Sequence, residues 1–337
     1  TSANPYPVAC PAQLNDVRNG LSSYYLQLCN IALDPNTHFP SIGTYSNRFT
    51  GTYDGNNYKI TGFFENTYNT NTDGTGLFGC VSGTGTLKNI WLYGNINIPS
   101  SISINRIGLL CGFNWNTTIN CHVFGSIKCR GNSIGGLSGQ LCSASGCSAE
   151  VDIEGLSGSS YIGGLAGNIG TANTFTNNYS KCNIRGYGTY IGGLTGLKEN
   201  SNFKIENCYS QSVINMTSAT AVGGFVGLDQ CTQASGNKYY SNCYANTTIL
   251  GAGTTKKGFC GSRVDGCTST QTNCLWNKEI SDIEEDTLLP TDNGLIDNKM
   301  RDNNYLMNDF NYSTDYWFFK PYYYPRLKWE NTYYPKT

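Results

Sequence analysis

A six-residue phrase returns along the chain: Ile134-Gly135-Gly136-Leu137-Ser138-Gly139, Ile162-Gly163-Gly164-Leu165-Ala166-Gly167, Ile191-Gly192-Gly193-Leu194-Thr195-Gly196 and Val222-Gly223-Gly224-Phe225-Val226-Gly227. Altered copies stand at Gly76-Leu77-Phe78-Gly79, Ile107-Gly108-Leu109-Leu110-Cys111-Gly112 and Gly258-Phe259-Cys260-Gly261. The closing glycines, Gly79, Gly112, Gly139, Gly167, Gly196, Gly227 and Gly261, are 33, 27, 28, 29, 31 and 34 residues apart. A period of about 20–50 residues marks a solenoid or array, whose single unit cannot bury its apolar side alone. In a straight strand the Ile and Leu of each phrase, three apart, would face opposite sides. Two glycines between them allow a corner, because glycine accepts backbone angles that a Cβ forbids, and they let neighbouring coils approach. Both apolar side chains then point inward. A phosphate-binding glycine loop would need a helix opening with Lys-Ser/Thr after it, and none follows.

A second landmark accompanies the first: Asn120-Cys121, Gly146-Cys147, Asn177-Asn178, Asn207-Cys208, Asn242-Cys243 and Asn273-Cys274. Alternating strands follow it, such as Val151-Asp152-Ile153-Glu154 and Cys182-Asn183-Ile184-Arg185. Equivalent residues of stacked coils lie about 4.8 Å apart, so Asn120, Asn207, Asn242 and Asn273 are expected to form side-chain ladders. The same stacking brings Cys121 beside Cys147, and Cys208 beside Cys243 (or Cys243 beside Cys274), within the roughly 4.4–6.8 Å Cα window of a disulfide. The alternative is a set of buried free thiols filling small core sites.

The ends are not repetitive. Pro11 to Gly20 reads as a short helix, with Pro at its start, Gly after its end and Leu14, Val17 and Leu21 on its apolar side. Tyr25 to Ile31 alternates as a strand, and Cys10 and Cys29 flank the unit as a disulfide candidate. A lid of this kind is expected where a solenoid would otherwise present unpaired strand edges. Asp54-Gly55 and Asn56-Asn57 are turn chemistry between two alternating strands. From Glu279 the pattern stops: Asp282 to Asp286 reads as a solvated acidic link. The aromatic runs Tyr316 to Phe319 and Tyr322 to Trp329 are expected to cover the last coil, or to offer a carbohydrate-stacking platform. The expected organisation is a cap over 1–40, a solenoid over 41–278 and a second cap over 279–337.

With 22 basic and 23 acidic residues the net charge is -1, which leaves no electrostatic footprint for nucleic acid or an anionic membrane. No stretch has the roughly 20 apolar residues that span a bilayer. The chain starts at Thr1 and shows no signal peptide, so it reads as a processed product. Fifteen Cys point to an oxidising compartment. No Cys-x-x-Cys pair occurs and His stands only at positions 38 and 122, so neither a metal nor another cofactor is expected. Asn-x-Ser/Thr acceptors occur at Asn116, Asn178, Asn215, Asn246 and Asn311. Together these features suggest a secreted or cell-surface eukaryotic glycoprotein.

The phrases resemble those of the GLUG-repeat proteins, named for Gly-Leu-x-Gly and found in secreted and surface proteins of bacteria and protists. The resemblance runs through the opening module (Pro11 to Ile31), Ile42-Gly43, Arg48 to Gly55, Gly76-Leu77-Phe78-Gly79 and Lys88 to Leu92. It closes with Asn308-Asp309-Phe310, Trp317 and Tyr324 to Trp329. It implies an all-β, right-handed parallel β-solenoid with a small helix-containing N-terminal cap and an aromatic-rich C-terminal cap. The high Cys content departs from the bacterial members. Some relatives are joined to an IgA-cleaving metallopeptidase, but no His-Glu-x-x-His exists here to carry that activity.

The functional expectation drawn from these residues is a non-enzymatic extracellular subunit that stacks on copies of itself in a filament or coat. The alternative is an adhesin or glycan-binding module. A carbohydrate-active enzyme would need carboxylates gathered at roughly 5–9.5 Å. Glu150, Asp152 and Glu154 share one strand face, but the next coil offers Asn183 and Arg185 instead of partners, so a solvated face is the expectation. No catalytic residue is assigned.

Overall fold

The computed structural model describes residues 2–66, 73–170, 174–199, 204–230, 239–264, 270–283, 286, 293–332 and 334–336. Parallel strands stack coil on coil into a β-solenoid of about seven turns. One coil shows the plan. Ser138–Ser145 lies in a first sheet and the chain turns at Gly146-Cys147. Ser148–Gly155 then runs in a second sheet and Tyr161–Gly163 in a third, before the glycine phrase returns it to the first. The phrases are in register: Ile134 pairs with Ile162, Ile162 with Ile191 and Ile191 with Val222. Leu137, Leu165, Leu194, Phe225 and Phe259 form a second ladder, the backbone N–H of each of the first four donating to the carbonyl of the next coil's equivalent. All of these apolar side chains are buried.

The glycines work differently from the sequence-based expectation. Those of the phrase do not take left-handed angles. They are needed for close approach: a Cβ on Gly136 would lie 2.4 Å from the Gly164 carbonyl oxygen, and one on Gly164 2.2 Å from that of Gly193. The closing glycines press on the preceding coil in the same way, with a Cβ on Gly139, Gly167 or Gly196 falling 2.3–2.5 Å from the backbone nitrogen of Ile107, Ile134 or Ile162. Interior hydroxyls fit the space that results. Ser180 Oγ donates to the Gly193 carbonyl at 2.6 Å, and Ser210 Oγ to that of Gly224 at 2.5 Å.

Left-handed backbone appears instead at the second landmark. Asn89, Asn120, Asn177, Asn207, Asn242 and Asn273 have φ between 50 and 57°, and Gly146 takes the same place at 68°. Asn tolerates this region better than other residues with a Cβ. The expected ladders are present in part: Asn120 Nδ2 donates to Asn89 Oδ1 (3.3 Å), Asn242 to Asn207 (3.3 Å) and Asn273 to Asn242 (2.9 Å). Where Cys follows the Asn it turns inward, and its thiol donates back across the corner to the carbonyl two residues earlier. Cys121, Cys208, Cys243 and Cys274 do so at 3.2–3.5 Å.

These thiols are free, which corrects the expected disulfides. Cys121 and Cys147 are neighbours in successive coils, as are Cys208, Cys243 and Cys274, but they pack as thiols. Cys10 and Cys29 are also unpaired, the Cys29 thiol donating to the Ala9 carbonyl at 3.1 Å. Burial drives the thiols of Cys121 and Cys243 well above their ordinary value.

At the N-terminus the helix Pro11–Asp16 forms as expected, with Leu14 and Val17 fully buried. The lid also continues the first sheet, because Tyr6–Val8 pairs with Tyr24–Gln27 and that strand with Thr52–Asp54, all parallel. The turn at 54–57 joins strands of two different sheets.

The C-terminus departs from expectation in two ways. Part of the acidic link, Glu284 and Glu285, lies outside the described residues, but Asp286 is buried, not solvated. Its Oδ2 accepts from the backbone N–H of Phe259 (2.7 Å) and Cys260 (3.2 Å), donors that in earlier coils bond the next coil's carbonyl. It closes the last rung. Stacking also reaches past 278, since Trp276 and Asn277 pair with Gly294 and Leu295. The aromatic tail then leaves the last coil and runs back along the second sheet, until Lys336 Nζ reaches Asn56 Oδ1 at 2.7 Å near the first coil.

Alkylation of native protein is expected to leave the eleven cysteines that are buried among the described residues unmodified, and alkylation after denaturation without reductant to modify all of them. A buried pair that reacts only after reduction would show a disulfide and contradict this packing.

Candidate functional site

The tail covers one outward ladder of the second sheet. Successive coils place Trp91, His122, Ser148, Tyr179, Tyr209, Tyr244 and Leu275 in register at this position. Outward positions in a solenoid are usually polar, yet this row is buried and forms a second apolar core with Leu306, Tyr312, Trp317 and Leu327. Tyr179, Tyr209 and Tyr244 stack at 4.9–5.0 Å between ring centroids. The row has one small member, Ser148. Trp329 fills the notch, its ring 4.9 Å from His122 and 5.4 Å from Tyr179, with Nε1 donating to the Asn177 carbonyl at 2.9 Å. Beside it, both carboxylate oxygens of Glu330 accept from the Tyr209 hydroxyl at 3.0 Å, and Lys181 Nζ lies 3.2 Å from Oε2. The tail is therefore a strap, not an end cap.

Ser148 and His122 form a contact that the sequence did not signal, since they stand 26 residues apart and meet only through coil register. The His122 Nδ1 to Ser148 Oγ distance is 2.9 Å, a separation compatible with a nucleophile and its base. Both side chains are only 1% exposed under Trp329, and His122 Nε2 has no hydrogen-bond partner. The pair is sealed from any substrate. Burial pushes the His122 pKa down to about 3.

The three carboxylates on the Ser148–Gly155 strand are engaged by their neighbours. Glu150 accepts from the Tyr179 hydroxyl at 3.0 Å and Asp152 from Asn183 Nδ2 at 2.7 Å. Glu154 is bridged by Lys128 and Arg185, each at 2.8 Å, and these hold its carboxyl below the ordinary value. A general acid for glycoside hydrolysis needs the opposite shift.

Another opening lies between the N-terminal helix and the first coils, a cleft of about 910 Å³. Arg18, Asn19, Ser22, Tyr45, Asn47 and Arg48 line it, and no acidic residue does. The Arg18 guanidinium is committed to the carbonyls of Asn15, Pro40 and Ser41. The Arg48 guanidinium rests on two exposed rings that touch each other, 4.5 Å from the centre of Tyr45 and 4.2 Å from that of Trp115. Among the described residues no group of three or more His, Cys, Asp or Glu could hold a metal ion.

The glycan acceptors fall into two classes. Asn215 and Asn311 are exposed, and Asn116 is half-buried with Nδ2 on the Gly83 carbonyl at 2.6 Å. Asn178 and Asn246 are buried. Asn178 donates to the Ala144 carbonyl and accepts from the Cys147 N–H, while Asn246 accepts from Asn277, so in the folded chain neither amide is open to a sugar.

No family model matches the chain. Of the curated proteins, a putative Gly-rich membrane protein of Evansella cellulosilytica is 37% identical over 133 residues, covering 36% of this chain and 15% of that protein. Solved structures share the fold. The crystal structure of a putative immunoglobulin A1 protease from Bacteroides ovatus superposes with a TM-score of 0.58 and 19% identity, over 98% of this chain and 94% of that one. A structure named IgA1 protease superposes with a TM-score of 0.52 and 19% identity, over 78% of this chain and 21% of that one. This chain thus spans a small part of the curated relative and of the second structure. Both neighbours are named as proteases, so the expectation of a non-enzymatic structural subunit, with its adhesin alternative, is corrected. Among the described residues no helix is long and apolar enough to cross a membrane.

The buried imidazole has a testable consequence. With a folded pKa near 3 against an ordinary 6.5, His122 binds fewer protons in the folded than in the unfolded chain between those pH values. Its contribution is intact above pH 6.5 and is lost as pH falls, at up to about 1.4 kcal/mol per pH unit. His122→Phe is therefore expected to flatten the decline in unfolding free energy between pH 6 and 4. An unchanged pH slope would show that the imidazole protonates in place.

Proposed function

We propose that this chain is the β-solenoid part of a protease-like protein, secreted or held at a cell surface, and that its role in proteolysis is to hold a protein substrate of the immunoglobulin A1 type. The observation that carries this reading is the superposition over 98% of this chain and 94% of the chain named as a putative immunoglobulin A1 protease. The glycine phrases support membership of the GLUG-repeat group, and the exposed acceptors Asn215 and Asn311 support passage through a glycosylating compartment. A role in holding substrate, with bond cleavage left to other parts of a longer protein, suits the side chains described. The Ser148–His122 pair is sealed, Glu154 is paired with Lys128 and Arg185, and burial raises the thiols of Cys111, Cys121, Cys129 and Cys182 away from the nucleophilic form. A rigid solenoid presents a long face on which an extended polypeptide can lie.

Surface plasmon resonance with immobilised immunoglobulin A1, together with gel analysis of the same mixture, tests the proposal. Saturable binding without fragments is the expected result for the chain by itself. Cleavage by the chain alone would overturn the holding role, and neither binding nor cleavage would overturn the reading altogether.

A further inference from the structure

The cleft between the N-terminal helix and the first coils is lined by two arginines and by hydroxyl and amide side chains, with no carboxylate. The two arginines differ. All of Arg18's nitrogens are committed to backbone carbonyls, and burial lowers its pKa, so it serves the lid. Arg48 spends only Nε, which donates to the Tyr45 carbonyl at 2.8 Å. Among the described residues its two terminal nitrogens have no hydrogen-bond partner. Yet the guanidinium is not loose. Tyr45 and Trp115, 42% and 37% exposed and packed on each other with ring centres 5.8 Å apart, hold it in the angle between them, and Trp115 is itself braced edge-on by Phe113 at 4.2 Å. Phe113 in turn carries Arg106, 4.3 Å from its ring centre. Two large aromatic rings left at the surface to fix one cation cost solvation, and the product is a guanidinium fork held in place with its outer donors open. Such a fork matches a carboxylate through two parallel hydrogen bonds, and a pre-set fork loses little freedom on binding.

We propose that Arg48, Tyr45 and Trp115 form a subsite for a carboxylate on an extended peptide, with Ser22, Ser46 and Asn47 along the cleft as partners for the peptide backbone. The choice of a peptide rests on the substrate-holding role proposed above; the carboxylate subsite stands on the geometry alone. A volume of about 910 Å³ admits several residues of an extended chain.

The test uses the purified chain and a fluorescein-labelled Gly-Ser decapeptide bearing an adjacent Asp-Glu pair, against the same peptide with Asn-Gln. Anisotropy titrations are expected to show the acidic peptide binding about tenfold more tightly, the margin of a charge-assisted over a neutral hydrogen bond. Arg48→Gln is expected to erase that preference, and Arg48→Lys to keep part of it, with unchanged far-ultraviolet circular dichroism in both. Equal affinity for the two peptides, or a preference that survives Arg48→Gln, overturns the subsite. Binding of polygalacturonate but of neither peptide would keep the carboxylate subsite and overturn the peptide assignment. A carboxylate preference without any affinity for immunoglobulin A1 would leave the subsite standing and sink the substrate reading.

Discussion

The fold depends on how closely one coil's backbone can lie on the next. At Gly136, Gly164, Gly193 and Gly224 the carbonyl oxygen of the following coil occupies the place of a Cβ, at 2.1–2.4 Å. That contact lets the Leu ladder close its backbone hydrogen bonds and lets Ser180 and Ser210 satisfy glycine carbonyls inside the core. A buried hydroxyl is tolerable only with such a partner. The opposite corner uses a different device, an asparagine in left-handed conformation followed by an inward thiol. The two corners divide the labour: glycine sets the spacing, asparagine sets the turn.

A solenoid has two weak points, its open ends and its length. Here both are managed within one chain. The N-terminal strands extend the first sheet, and Asp286 accepts the last rung's orphan donors. Length is managed by the strap, which ties coil to coil through Trp317, Trp329, Glu330 and Lys336. Contacts between residues 280 positions apart, as for Lys336 and Asn56, couple the two ends of what would otherwise unfold piecemeal. The aromatic row beneath the strap is thus explained as a core, which also accounts for a histidine kept neutral and dry.

The architecture was legible in the sequence because its period is a direct image of stacking. The seven closing glycines, the paired Ile and Leu, the helix at Pro11 and part of the asparagine ladder all follow from residues read singly. What was not legible depends on register between distant coils or on the path of the tail. Tyr316 to Trp329 reads as an aromatic cap from composition alone; only the vacancy at Ser148 shows where Trp329 goes. Cys121 and Cys147 lie where a disulfide could form, yet the carbonyl two residues earlier supplies a hydrogen-bond partner for the thiol. Function was the least legible. Repeats are selected for stacking, so the absence of catalytic patterns in them carried no information, and the neighbours named as proteases corrected that step. The Arg48 cleft lies outside the regular repeats, where sequence is free to serve binding.

The central physical claim is that the glycine phrases hold the coils at a distance no side chain allows. Urea unfolding of Gly164→Ala measures this directly, since the added Cβ would stand 2.2 Å from the Gly193 carbonyl oxygen and 2.8 Å from the Ser180 Cβ. The midpoint is expected to fall by several kcal/mol in equivalent free energy, roughly the scale of a severe core overpacking. A variant as stable as the parent chain, with its circular dichroism unchanged, would contradict the account.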